Sequence, residues 1–423
     1  MLPPSHFPLP KEGEEKKEVL LINPLLLTYV GKERKREMGN MKKLSVFSFQ
    51  NLLKAFQKCR KGKRFKEETG LFEFNLEQNL FNLEKELNSR KWQPRKVHRF
   101  IVLEPKPREI IAATFRDRVV HHLVHSQINP LFEKRFIYDS YANRKNKGTH
   151  KAINRLQQFI RKITKNYTQP AFYLKGDVKS YFPTVDHQIL FEIVKEMVKD
   201  EEILVIIKTI IENRATGLEK FKPSPKDPTF QKSLLLQPSG KGMPIGNLTS
   251  QLFANIYLDK LDHFIKEKLR AKFYLRYVDD FIIIDTSRKK LKFFAKRIDG
   301  FLKKKLKQSL HPRKTKILPL SYGIDFLGYY FKISQQSRKI IIYVRHSNVR
   351  RFKYRLIKLT KLYQEGKITE KYICESINAW YAYAKHANSY NLRKHLFKEH
   401  MKPFHSFLEP QDDFRYFKLK SIE

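Results

Sequence analysis

Apolar positions along the chain change their spacing three times. Residues 1 to 44 open on prolines, continue with charges and show no period, so they read as a disordered leader or tail. Met38 and Met41 stand just ahead of the first helix-period stretch, "SVFSFQNLLKAFQKC". From 45 to about 170 helical spacing prevails, as in "LFEFNLEQNLFNLEKEL". "HRFIVLEPKPREIIAA" interrupts it and predicts two short strands around a "PKP" turn. "RDRVVHHLVHSQINPLF" predicts a helix that stops at Pro130.

From 171 to about 340 the pattern mixes strands with helices. "AFYLKGDVKSYF" predicts a strand ending at Asp177. A helix follows, N-capped by Asp186, with Leu190, Val194 and Met197 on one face. Residues 214 to 240, rich in Pro, Lys and Ser, read as a surface loop. "GMPIGNLTSQ" opens a helix whose stripe is Leu258, Leu261 and Ile265. "FYLRY", a turn at "VDD" and "FIIID" then read as a hairpin, and this order of elements suggests an α+β layer. From 341 onward the chain reads as helical. Phe352, Leu356, Leu359 and Leu362 form one stripe, and Ile373, Ile377, Trp380 and Ala384 a second. Arg345, Arg350, Arg351, Arg355, Lys358 and Lys361 fall on the other faces.

Charge narrows the function classes. The chain carries 86 Lys and Arg against 43 Asp and Glu, a formal +43. Such an excess repels itself unless a polyanion neutralises it, and nucleic acid leads the choices. The basic residues are interleaved with Tyr and Phe along the whole chain, which suits a long track with stacking platforms. The longest uncharged run, "VLLINPLLLTYV" at 19 to 30, is too short to span a bilayer, so no membrane is implied. Cys59 and Cys374 are the only cysteines and form no CxxC, so neither a zinc site nor a disulfide framework is indicated. A reducing cytoplasm fits. His121, His122 and His125 read as histidines along a helix rather than as metal ligands.

One stretch raises a chemical question. "YLRYVDDFIII" sets Asp279 and Asp280 inside a β-branched run, where ionised carboxylates cost several kcal/mol unless offset. Asp177, at the end of another strand, can meet them at one sheet edge. Two Mg²⁺ ions take about that many hard oxygen ligands, with phosphates and water supplying the rest. Ions ~3.5–4 Å apart suit phosphoryl transfer. Because strand side chains alternate, Asp279 and Asp280 are not equivalent, and one of them faces Asp177.

These boxes resemble a reverse transcriptase. "YVDD" is similar to that family's catalytic box, "LKGDVKSYF" to its first aspartate box and "FLGYY" to its primer-grip hairpin, with "HPRKTKI" before it. "EPKPREI" and "SYANRKNKGTHKAI" resemble the fingers blocks of group II intron-like bacterial members. The likeness runs in family order from about 95 to about 400. The loop "IGNLTSQ", with Ile245 where Gln is usual and Gln251 where Pro is usual, resembles the reverse transcriptases of diversity-generating retroelements. So does the ending "SINAWYAYAKHANSYNLRKHLF".

The resemblance implies an α+β right-hand polymerase: fingers over 45–170, a palm with an antiparallel sheet over 171–340 and a helical thumb over 341–423. It implies RNA-directed DNA synthesis giving adenine-mutagenised cDNA from a template-repeat RNA. Partners would be template RNA, a cDNA or DNA primer, deoxynucleotides and an accessory variability determinant protein. Asp177 and Asp279 would bind Mg²⁺, with Asp280 assisting. Lys106 and Arg108 would contact the triphosphate. Phe182 either packs in the core or lies under the incoming sugar, and Ile245, Gly246 and Gln251 form the loop near it. Lys314 either protonates pyrophosphate or is an exposed lysine. Arg144, Gly328, Arg350 and Arg351 would meet template or primer. The alternatives are an intron-like or defence-associated reverse transcriptase and, from another class, a non-catalytic RNA-binding scaffold.

Overall fold

A computed structural model describes residues 45–104, 106–334 and 336–420. The expected leader, residues 1 to 44, lies outside the described residues. Two units partition the chain, residues 1–48 and 49–423, and all named elements lie in the second.

Helix α1 (Phe49–Arg60) buries Leu52, Ala55, Phe56 and Cys59, a single stripe at helical spacing. The next periodic stretch divides at the non-helical Asn75 into α2 (Glu67–Phe74) and α3 (Leu76–Asn88). Strands β1 (His98–Val102) and β2 (Arg108–Ala112) pair as the expected antiparallel hairpin. Helix α4 (Phe115–Arg135) does not stop at Pro130 but runs through it. Proline removes one donor from a helix interior, at a cost of about 3 kcal/mol. Ile128 and Phe132 are fully buried on either side of it, and their packing outweighs that loss.

Helix α5 (Thr149–Ile163) precedes the central sheet. Strand β3 (Phe172–Asp177) ends on Asp177, as the pattern implied, and the one-turn helix α6 (Tyr181–Thr184) follows. Asp186 caps α7 (His187–Met197) by accepting from Ile189 N at 3.1 Å. Asp200 caps α8 (Glu201–Glu212) in the same way. Residues 214 to 240 are not simply a surface loop. Thr229, Ser233 and Leu234 are buried, because the Glu109 carboxylate accepts from Ser233 Oγ and Leu234 N at 2.8 Å.

Helix α9 (Leu248–His263) is almost wholly buried and ends in a π turn over Phe264–Lys268. It leads into β4 (Phe273–Tyr277) and β5 (Asp280–Asp285), then α10 (Arg288–Leu306) and β6 (Lys316–Pro319). The antiparallel sheet has the order β4-β5-β3-β6. Central strand β5 reads as a continuous apolar run because it is covered by α10 and by α5. Tyr173, Leu275, Ile282 and Ile284 share a core with α5 and with a second sheet, β7 (Ile324–Phe326), β8 (Tyr329–Ser334) and β9 (Lys339–Val344).

The expected helical region after 341 needs two corrections. β9 continues to Val344, so the expected palm–thumb boundary at 340 falls inside a strand. Helices α11 (His346–Gln364), α12 (Glu370–Ala384) and α13 (Tyr390–His400) do follow, and the predicted stripes form their core except for Leu362, which stays outside it. The chain then forms a second hairpin, β10 (Leu408–Gln411) and β11 (Tyr416–Leu419). Asn378 of α12 exchanges two hydrogen bonds with the Phe417 main chain, at 2.7 and 2.9 Å. That tether is made by side chain to backbone and leaves no periodic trace in so short a segment. No helix among the described residues is long and apolar enough to cross a membrane.

Candidate active site

β3 and β5 run antiparallel with Asp177 directly opposite Asp280. One residue earlier, Gly176 faces Phe281, and a Cβ on Gly176 would sit 2.1 Å from the Phe281 ring. Glycine there lets the two strand ends approach closely enough to bring the carboxylates together. β4 and β5 are joined by only two residues, Val278 and Asp279, since Tyr277 pairs with Asp280. Val278 has φ +53°, a conformation that two-residue hairpin turns usually give to Gly or Asn. For a β-branched residue it costs on the order of 1–3 kcal/mol.

Burial raises the Asp279 carboxyl above its ordinary range, and the charge of Asp177 adds to the effect. Lys314 and Arg108 act in the opposite direction. Asp280 is pushed up to about 6, first by burial and then by the charge of Asp279, with Lys175 opposing. Both aspartates therefore respond to Asp177, and Asp280 is the one paired across the strands. The alternation argument singled out one facing residue and missed that the other, in the turn, comes near as well. Lys314 Nζ lies 2.9 Å from Asp177 Oδ2. Among the described residues, no three His, Cys, Asp or Glu side chains are spaced to hold a metal ion as they stand. The donor set still fits a hard cation: three carboxylates crowd one sheet end, and burial, then the charge of a neighbouring aspartate, raises the carboxyls of Asp279 and Asp280, both of which a cation between them would offset.

The surroundings sort the remaining residues. Arg108 starts β2, is exposed, and its charge reaches Asp279; Lys106 is exposed in the turn before it. Phe182 is half-buried beside Tyr181, with ring centroids 5.4 Å apart. Tyr181 takes the core position, its hydroxyl donating to Ala254 O at 2.7 Å. The loop at 245–247 is fastened to β2. Ile245 O accepts from Ile111 N at 2.9 Å, and Asn247 Oδ1 accepts from Ala113 N at 3.0 Å. Gly246 has φ +132°, and a Cβ would stand 2.9 Å from Ile110 Cγ2, so only glycine suits that approach. Gln251 is exposed on the first turn of α9, between buried Ser250 and Leu252.

The model of the family described as "Reverse transcriptase (RNA-dependent DNA polymerase)" matches residues 102–331, which include all three aspartates. The chain belongs to this family. The reverse transcriptase is 24% identical over 281 residues to protein YkfC of Escherichia coli K12, covering 58% of this chain and 69% of that one. It is 22% identical over 323 residues to the group II intron-encoded protein LtrA of Lactococcus lactis. That match covers 61% of this chain, which spans only half the length of LtrA. Among solved structures, apo telomerase from Candida tropicalis truncated from its C-terminal domain aligns with a TM-score of 0.41 at 14% identity. It covers 57% of this chain and 53% of that one, too faint a likeness to carry weight. The α+β architecture is that of a right-hand polymerase, built around the antiparallel β4-β5-β3-β6 sheet.

Elsewhere in the reverse transcriptase, Arg144, expected at template or primer, lies largely inside the protein. Arg144 is only 6% exposed, and its guanidinium is spent inside the protein on Glu133 Oε1 (2.9 Å), Ile137 O (2.7 Å) and Ser140 O (2.9 Å). It clasps the segment after α4. Gly328 O accepts from Arg345 N at 3.0 Å and from the Tyr383 hydroxyl, joining the β7–β8 turn to α11 and α12. Arg350 is exposed on α11, and Arg351 bonds Asn348. Sequence reasoning missed Arg276 and Asp262, a wholly buried ion pair behind the turn. The available signals were an arginine inside the apolar β4 and an aspartate inside the apolar α9.

Proposed function

We propose that this reverse transcriptase makes error-prone, adenine-mutagenised cDNA from a template-repeat RNA, as part of a diversity-generating retroelement. The observation that carries the reading is Ile245. Its loop is tied to β2 through main-chain and Asn247 bonds, while its own side chain can donate and accept nothing. A glutamine in that place would restrain the nascent pair by a hydrogen bond, worth roughly 0.5–1.5 kcal/mol. Without it correct and incorrect pairs differ less, and each ~1.36 kcal/mol of lost discrimination is a tenfold rise in error.

Asp177, Asp279 and Asp280 would hold two Mg²⁺ ions together with nucleotide phosphates. When bound, these would supply charge stabilisation for attack of the primer 3′-hydroxyl on the α-phosphate and for departure of pyrophosphate. Arg108 and Lys106 would take the triphosphate oxygens, Arg108 as a bidentate donor. Lys314, whose Nζ lies beside Asp177, would pass a proton to pyrophosphate. The half-buried Phe182 would lie under the sugar and leave no room for a 2′-hydroxyl. Gly328, Arg350 and Arg351 belong to the primer-side surface. A basic accessory protein would meet the enzyme through the shared RNA or directly.

The similarity to LtrA favours a second reading, an intron-like reverse transcriptase. Sequencing cDNA made by wild type and by Ile245→Gln distinguishes the two. On the retroelement reading, wild type misincorporates opposite adenine and the variant does so several-fold less. Equal error rates at adenine in two active enzymes would remove the loop as a fidelity element. Accurate copying by wild type would favour the intron-like reading.

A further inference from the structure

The turn that carries Asp279 is held by one buried guanidinium. Arg276 and its partner Asp262 on α9 both have side chains with no exposed surface. Arg276 Nε and Nη2 donate to Asp262 Oδ1 and Oδ2 at 2.7 and 2.5 Å. That leaves Nη1, which donates to the Val278 carbonyl at 3.0 Å and reaches Asn255 Oδ1 at 3.3 Å. The Tyr274 hydroxyl adds a bond to Asp262 Oδ1 at 2.5 Å. The Arg276 main chain is engaged too, donating to Asp139 O at 2.9 Å and accepting from Tyr141 N at 3.0 Å. The strained Val278, with φ +53°, is thereby tied to α9, the helix that begins just after the 245–247 loop.

We propose that Arg276 is a positioning residue for polymerisation. By donating to the Val278 carbonyl it holds the left-handed turn in the geometry that brings Asp279 and Asp280 beside Asp177. This rests on the reading of those aspartates as catalytic. The stability of a buried ion pair does not explain the arrangement, because well-packed apolar residues often serve as well or better. What apolar residues cannot supply is the fork: two bonds to Asp262 and a third to the turn. Lysine keeps the charge but lacks that planar set of donors. A displacement of about 1 Å at a reacting group costs about 10²-fold in rate.

The test is single-turnover primer extension on an RNA template with the full chain, beside titrations of template–primer and deoxynucleotide and a thermal melt. Two variants are compared with wild type: Arg276→Lys, and Arg276→Met combined with Asp262→Leu and Tyr274→Phe, which removes both charges of the pair. The expected result is a rate lower by about 10²-fold in both, with nucleotide and template–primer affinities nearly unchanged. A purely structural role predicts that each rate falls only in proportion to the folded fraction. That outcome, or a folded variant extending within about twofold of wild type, overturns the proposal. An inactive wild type would instead sink the catalytic reading of the aspartates, and the proposal with it.

Discussion

Phe182 shows how a single residue divides core from site. Its neighbour Tyr181 is buried and hydrogen-bonded, whereas Phe182 is only half-buried. Sequence left core and sugar contact open, since an apolar residue after a strand fits both. Phe182→Ala should relax sugar discrimination, because the smaller side chain opens space for a 2′-hydroxyl. Matched extensions with ribonucleotides and deoxynucleotides measure this. An unchanged preference would return Phe182 to a packing role. Arg144 illustrates the opposite case: its basic side chain looked available for nucleic acid but is consumed by Glu133 and two carbonyls. Neither outcome follows from residue type, because both depend on groups that arrive from other elements.

Among the elements, the β4–β5 hairpin and the strand bearing Asp177 were legible because a long β-branched run has one reading when it is bounded by polar turns. The stripes of α11 and α12 were legible for the corresponding reason of period. The hairpin β10–β11 and the passage of α4 through Pro130 were not, since tertiary packing overrides local preference there. The Arg276–Asp262 pair was hidden because pattern marks polar residues as surface. The α4–α9 junction gives a pH prediction. His121 Nδ1 lies 2.6 Å from Thr249 Oγ1, and burial lowers its pKa to about 4, with the Asp117 charge opposing and His122 and Arg118 assisting. Unfolded, the imidazole takes up a proton near 6.5. Between these values the unfolded chain binds more protons, so stability falls as pH drops from about 6.5 to about 4. Thermal melts across that window should show a shallower pH slope for His121→Gln than for wild type. Parallel curves would contradict the assignment, although His122, also lowered to about 4, keeps the variant's slope above zero.

At the scale of the whole molecule, a charge of +43 is spread over the chain rather than gathered at the carboxylates. Binding and chemistry should therefore separate. If roughly 6–10 phosphates are neutralised, affinity for template–primer falls by about 10³–10⁵ between 50 and 200 mM salt. A titration across that range checks it, and a flat response would disconnect the charge from the template. The same separation gives the most direct test of the catalytic site, primer extension by Asp279→Asn beside a binding titration at fixed salt. The expected result is no detectable cDNA, with RNA affinity within about twofold of wild type, because one carboxylate is lost while the dispersed cations remain. Appreciable cDNA synthesis by that variant would contradict the assignment of polymerisation to this cluster.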